Sequence, residues 1–214
     1  MKNKKIVLLT AVLLIIGFVI GTMYYQKSVD NKNQEIAREN GAPFVRAHSP
    51  SVGKNLKKVT IVEFLDPECE SCRAFHPAIK KVFSEYKNET RLVIRYMANH
   101  GNSKFAIRLL EASRLQNKYG EAMEVIFKYQ PQWGNHHNPN PKLLWGFLEE
   151  AGLDMKKLRA DFESNNIDEI LSLDKEDAYS LGVRGTPTFY VNGKVLKSLS
   201  YKALLDLVES EIYK

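Results

Sequence analysis

Uncharged, largely apolar residues run from Ile6 to about Tyr25, directly behind the basic stretch Met1-Lys2-Asn3-Lys4-Lys5. About twenty residues rising ~1.5 Å each give roughly 30 Å of helix, the thickness of a bilayer's hydrocarbon core. Residues 26–40 are polar with little apolar periodicity and read as a stalk. Gly41-Ala-Pro and Ser49-Pro50-Ser51-Val52-Gly53 are turn-like and flank Phe44-Val45, which reads as a short edge strand. Val59-Thr60-Ile61-Val62-Glu63-Phe64-Leu65 is nearly continuous in β-branched and apolar residues, as in a strand covered on both faces. A helix is expected from about Cys69 to Tyr86, with Phe75, Ile79, Val82 and Phe83 on one side and Pro77 kinking it. A second central strand spans 91–97. Helical periodicity then dominates from Ser103 to Ser180, in segments near 103–116, 119–129, 142–151, 154–163 and 166–180. Thr188 to Leu196 reads as two strands joined by a type I′ turn at Asn192-Gly193. Ser200 caps a last helix, with Leu199 and Leu204 placed for a hydrophobic staple and Leu204, Leu207, Val208 and Ile212 facing the sheet.

This pattern divides the chain into a basic N-terminus (1–5), an apolar span (6–25), a stalk (26–40) and a folded domain (41–214) with a helical insertion at about 103–180. The order strand, helix, strand, helical block, hairpin, helix is that of an α/β thioredoxin fold carrying an inserted helical block and preceded by a transmembrane helix.

Charge adds an orientation. The lysines ahead of the span place the N-terminus in the cytoplasm and the remainder outside. The span is longer than a usual signal core and no small-x-small cleavage site follows it, which favours an uncleaved anchor; a cleaved signal peptide is the alternative. The formal net charge is +6, but beyond Tyr25 it falls to +3, 28 basic residues against 25 acidic. That is an ordinary soluble surface with no nucleic-acid footprint.

Two cysteines occur in 214 residues, Cys69 and Cys72. A second cysteine three positions on can close a disulfide across one helical turn. At a helix N-terminus, unpaired N–H groups and the helix dipole stabilise the thiolate of the first. In an exported domain such a pair reads as a redox site rather than as a stabilising framework. Half of a zinc site, or two unrelated thiols, are the alternatives.

Four pieces in order, Ser49-Pro50-Ser51-Val52-Gly53, Thr60-Ile-Val-Glu63-Phe64-Leu-Asp66, Cys69-x-x-Cys72 and Gly185-Thr186-Pro187-Thr188-Phe189 before Asn192-Gly193, make the chain resemble the DsbA family of exported thiol–disulfide oxidoreductases, in particular its membrane-anchored members. The likeness spans about residues 41–214. It implies that Cys69 lies exposed at the helix start and is the attacking cysteine, while Cys72 resolves the mixed disulfide. It makes Pro187 a cis-proline beside the disulfide, with Thr186 offering its backbone to a substrate peptide; a trans proline opening an ordinary strand is the alternative. Glu63 becomes a buried acid beneath the site, able to take the proton of the second thiol; otherwise it is a glutamate at a strand edge with its head in solvent.

Between the cysteines this chain has Glu70-Ser71, where the best-known oxidases of the family have Pro-His. An acidic neighbour should raise the Cys69 pKa and make the disulfide less oxidising. Potentials near about −120 mV and −270 mV differ by roughly 7 kcal/mol, far more than one surface carboxylate supplies. Oxidase, reductase and isomerase therefore stay open. Glu70, Ser71 and His76 are the residues placed to tune the pair, although His76 also reads as a half-exposed helix histidine with no catalytic role.

The expected partners are cysteine-containing exported proteins, a membrane redox protein and, through the N-terminal helix, the membrane itself. The site would lie in the periplasm or outside the cell, on a single-pass protein of the bacterial cytoplasmic membrane. No organic cofactor and no metal are implied. One rival function is copper(I) handling by Cys69 and Cys72 with help from His76, His100 or His136; another is a tethered binding or chaperone domain whose thiols are incidental. His136-His137 and His100 read chiefly as solvated loop histidines, Trp133 and Trp145 as packing residues, and Asn88-Glu-Thr90 as a glycosylation sequon by pattern only.

Overall fold

The computed structural model describes residues 2–39, 41–135 and 137–214. A single helix, α1 (Lys2–Arg38), takes in both the apolar span and the polar segment after it. Its candidate membrane-crossing stretch, Ile6–Ala37, has a mean hydropathy of 2.8 in its most apolar window, which is fully exposed. Ala37, near the helix end, is buried in one cluster with Phe44, Phe64 and Tyr190.

Five strands form one sheet: β1 (Ser51–Val52), β2 (Val59–Leu65), β3 (Thr90–Tyr96), β4 (Thr188–Val191) and β5 (Lys194–Val195). Their order across the sheet is β1-β3-β2-β4-β5. β2 and β3 run parallel, with Val59 opposite Thr90 and Leu65 opposite Tyr96; the remaining pairings are antiparallel. Every residue of β2 is buried, as its continuous apolar reading predicts for a strand covered on both faces. One face carries α2 (Glu70–Glu85) and the last helix, whose Phe75, Ile79, Val82, Leu204, Val208 and Ile212 pack with Val59, Ile61 and Phe189. Pro77 sits within α2, which runs unbroken across it.

The insertion consists of α3 (Ser103–Arg114), α4 (Tyr119–Lys128), a short α5 (Gln130–Trp133), a mixed 3₁₀/α stretch α6 over 141–151, α7 (Met155–Ser164) and α8 (Asp168–Ser180). Its core, around Leu109, Leu110, Ile126, Trp133 and Leu148, is continuous with Leu65 and Tyr96 of the sheet and with both cysteines. α8 returns to the sheet through charge: the fully buried Arg95 of β3 bridges Asp174 and Asp177 at 2.7 and 2.5 Å, and Asp177 also takes Arg46 at 2.8 Å.

The hairpin turn has the expected geometry, with Asn192 at φ 47° and Gly193 at φ 79°. A Cβ on Gly193 would come within 2.4 Å of the Asn33 carbonyl oxygen, so the glycine also lets α1 dock. The final helix, α9 (Tyr201–Ile212), is capped by the Ser200 hydroxyl accepting from the Ala203 N–H. Leu199 is half exposed and Leu204 fully buried.

Phe44-Val45 is a turn and not an edge strand. The N–H groups of both residues donate to the Gly41 carbonyl, at 3.1 and 3.0 Å, and so are not available to a ladder. The edge is instead Ser51–Val52, paired with β3.

Truncating Arg95 removes the buried cation that Asp174 and Asp177 share, leaving His48 on the first and Arg46 on the second. Arg95→Ala should lower unfolding stability by about 3–5 kcal/mol, and adding Asp174→Asn should recover part of the loss. Urea unfolding of the full chain in detergent, followed by far-UV circular dichroism, measures both.

Candidate active site

The parallel β2 ends at Leu65, and the chain turns through Asp66-Pro67-Glu68 into α2. Cys69 is the N-cap of that helix, with extended backbone (φ −71°, ψ 121°). Unpaired N–H groups of the first turn therefore point at its sulfur. The residue is only 8% exposed, against the expectation of an exposed thiol. The segment ahead of β4 covers it: the Thr186–Pro187 bond is cis, Pro187 is buried, and the Cys69 thiol donates to the Thr186 carbonyl at 3.3 Å. Cys72, one turn deeper, is fully buried.

The two thiols are driven apart. A hydrogen bond from the Cys72 thiol, aided by the Thr186 side chain and the N–H groups of Cys72 and Ser71, lowers the Cys69 pKa to about 5 despite partial burial. Burial, then the hydrogen bond given to Cys69, pushes the Cys72 thiol far up. The expected rise at Cys69 from Glu70 is thus outweighed. Glu70 is exposed, where water screens its charge, whereas the stabilising donors touch the sulfur. Ser71 contributes through its backbone.

Glu63 lies in the central strand between Ile94 and Phe189 and is 2% exposed, so the strand-edge alternative does not hold. Burial first, and the charge of Cys69 second, raise its carboxyl to about pKa 8. It faces a cavity of about 570 Å³ whose lining includes Leu65, Ile79, Ile94, Tyr119 and Met123.

His76 is not brought to the pair. Its Nε2 meets Glu124 of α4 at 2.9 Å, its ring packs on Phe127 with centroids 4.8 Å apart, and burial lowers its pKa. His100 is held by Asp66 at 2.7 Å, and His136 lies outside the described residues. Among the described residues, no three His, Cys, Asp or Glu side chains converge as a metal site. Trp133 is buried; its indole N–H donates to the Ile126 carbonyl at 2.8 Å.

Three residues that hold the site carried no recognisable signal of it in the sequence. Gln130 of α5 is buried and donates to the Pro67 and Cys69 carbonyls at 2.9 and 3.0 Å, while its own oxygen accepts from Arg73 at 2.8 Å. Asp66 and Glu68, both buried, clamp the loop between β3 and α3: Asp66 accepts from the N–H groups of Glu68 and Asn99, and Glu68 from the backbone and side chain of Asn102. Asp66 stood inside a recognised motif but with no role. Gln130 falls just past the helical segment read at 119–129, beside Pro131, where nothing in the sequence marks it.

Residues 46–210 match the family model described as Thioredoxin. Disulfide bond formation protein D of Bacillus subtilis is 26% identical over 81% of this chain and 81% of its own length. The Na(+)/H(+) antiporter NhaA of Herminiimonas arsenicoxydans is 29% identical over 68% of this chain, which spans only 22% of the antiporter's length. Among solved structures, a thioredoxin-like oxidoreductase from Silicibacter pomeroyi is 27% identical with a TM-score of 0.67, covering 79% of this chain and 95% of the other.

In the reduced protein, thiolate absorbance near 240 nm should titrate with a midpoint of about 5. Cys72→Ala removes the largest stabilising donor and should move that midpoint upward by one unit or more, about 1.4 kcal/mol per unit. Glu63→Gln should leave the Cys69 midpoint nearly in place but slow reduction of the disulfide by glutathione below about pH 8, where Glu63 carries its proton, with the difference closing at higher pH, read by stopped-flow fluorescence.

Proposed function

The chain belongs to the thioredoxin family, as one of its DsbA-like thiol–disulfide oxidoreductases, and from that premise we propose that α1 anchors it in the cytoplasmic membrane while its α/β domain exchanges disulfides with cysteines of exported proteins. The observation that carries the reading is the asymmetry of the pair. Cys69 sits at a helix N-terminus against cis-Pro187 with its pKa lowered to about 5, and Cys72 is buried with its pKa raised.

In disulfide donation, a substrate thiolate attacks the Cys69 sulfur of the Cys69–Cys72 disulfide. A substrate–Cys69 mixed disulfide forms, and Cys72 leaves as a thiolate that takes up one proton. Glu63, which holds a proton until about pH 8, supplies it and recovers it from solvent. A second substrate thiolate then attacks the substrate's own sulfur in the mixed disulfide. The substrate disulfide closes, and Cys69 departs as the stable thiolate. A low-pKa thiol is a good leaving group, which speeds this second step. Run backwards, with Cys69 as nucleophile and Cys72 resolving, the same steps reduce a disulfide. Thr186, half-buried beside Cys69, presents its backbone to the incoming peptide as an added strand. A membrane protein that accepts or supplies the electron pair closes the cycle.

A Cys69 pKa of about 5 lies between the ~7 of thioredoxin and the ~3.5 of DsbA. The reduction potential, measured in glutathione buffers on the full chain in detergent, is accordingly expected near roughly −200 mV, between their values. In cells, Cys72→Ala should accumulate mixed disulfides with exported proteins, and protease should cleave the domain from the outer side of intact cells or spheroplasts. Failure of Cys69 and Cys72 to form an intramolecular disulfide would overturn the proposal.

A further inference from the structure

His100 belongs to neither α2 nor the cis-proline segment, yet one residue ties it to both cysteines. Asp66 is fully buried at the end of β2, and its carboxylate already accepts the N–H groups of Glu68 and Asn99, each at 2.9 Å. Its third contact, 2.7 Å to the imidazole Nδ1, therefore calls for a donor, so Nδ1 carries hydrogen and the charge of the ring is decided at Nε2. By its backbone the same Asp66 reaches the redox pair: its carbonyl accepts the Cys69 N–H at 3.1 Å, and its N–H donates to the Cys72 sulfur. The β3–α3 loop is thereby pinned against the active-site turn. The His100 backbone N–H is fixed to Ser103 at 3.1 Å, and its side chain is 32% exposed, enough to exchange a proton with water.

The charged groups facing this imidazole are Asp66 from β2, and Glu68 and Cys69 from the turn into α2. All three are anionic when Cys69 is a thiolate. Burial works against protonation of the ring, but the hydrogen bond and charge of Asp66, and then the charges of Cys69 and Glu68, outweigh it and raise the pKa. A Coulomb attraction is mutual: whatever the thiolate does for the imidazolium, the imidazolium does for the thiolate.

We infer that His100, oriented by buried Asp66, is the cationic partner of the Cys69 thiolate and makes the redox equilibrium of the pair depend on pH. The inference rests on the thiol–disulfide reading above and concerns the same site. When the disulfide takes two electrons from a dithiol, Cys69 becomes a thiolate and Cys72 takes one proton. The new negative charge also tightens the hold of His100 on its proton. Across the window in which His100 titrates, reduction therefore takes up an additional fraction of a proton. Below that window the imidazolium favours the reduced state and the disulfide is more oxidising; above it the advantage is gone. His100 acts through Cys69 without touching substrate, so it is a positioning and electrostatic residue. It supplies, from a distant loop, the cationic support that Glu70-Ser71 does not provide between the cysteines.

The test is the equilibrium constant of the pair against glutathione for the full chain in detergent, in wild type, His100→Gln and His100→Arg, at pH 6 and pH 8.5. Wild type should be three- to tenfold more oxidising than His100→Gln at pH 6, with the ratio falling toward one at pH 8.5. His100→Arg should keep the oxidising character at both values. In wild type alone, the NMR midpoint of the His100 ring should lie higher in the reduced than in the oxidised protein, whatever the folding of the variants. Equal His100 midpoints in the two redox states, or a variant ratio that does not change with pH, would overturn the role of His100 while the pair still cycles. A pair that never closes a disulfide would instead overturn the oxidoreductase reading itself.

Discussion

A sulfur anion in a place that water hardly reaches has to be stabilised by the protein, and the arrangement around Cys69 follows from that requirement. The residue caps α2 at 8% exposure, so bulk solvation is replaced by donors fixed in position: the Cys72 thiol, the Thr186 side chain and two backbone N–H groups of the first turn. Those donors point the right way only while the turn from β2 into α2 keeps its shape. The Pro67 and Cys69 carbonyls lie in that turn. The Gln130 amide takes up both, at 2.9 and 3.0 Å. The helical insertion thus reaches the chemistry through this buried side chain as well as through the core it shares with both cysteines.

The same hydrogen bond that helps one cysteine burdens the other. A thiol that donates to a neighbouring thiolate holds its own proton more tightly, and burial adds to this at Cys72. The pair thereby sorts itself into a sulfur that leaves easily and a sulfur that must be protonated to leave at all. In the mechanism proposed above, that second demand accounts for a carboxyl group in the middle of an otherwise apolar strand. Buried at 2% exposure, Glu63 holds its proton to about pH 8 and faces a cavity of about 570 Å³.

The sheet, the redox helix and the hairpin were legible because each rests on local rules: a strand buried on both faces, a capped amphipathic helix, and an Asn-Gly turn whose residues take positive φ. The cysteines, the acid and the cis-proline were legible as a constellation in fixed order. What escaped is what depends on distance along the chain. Arg95 looks like a misplaced charge in β3 until Asp174 and Asp177 arrive from some eighty residues away. His100 looks solvated until Asp66 is seen to hold it, and Gln130 looks like a loop residue until it meets the Cys69 carbonyl. Phe44-Val45 failed for a complementary reason. Its apolar pattern is real and Phe44 is fully buried, but its N–H groups are spent on closing a turn. Burial alone does not distinguish a strand from a packed turn.

α1 adds a constraint that neither the span nor the domain would supply separately. A flexible linker after Tyr25 would let the domain wander, whereas the helix continues to Arg38 and ends against the sheet. Ala37 is buried beside Tyr190 and Phe44, and Gly193 of the hairpin leaves room for the Asn33 carbonyl. With α1 as the anchor proposed above, the thirteen helical residues beyond Tyr25 measure about 20 Å. Cys69 would then be carried at a set height above the membrane surface and in a set orientation to it. In the function proposed above, one sulfur atom meets both a soluble substrate and a membrane redox partner, and a rigid mount would restrict the encounters Cys69 can make. On that reading the docking of α1 on the hairpin would belong to the catalytic geometry as much as to the fold.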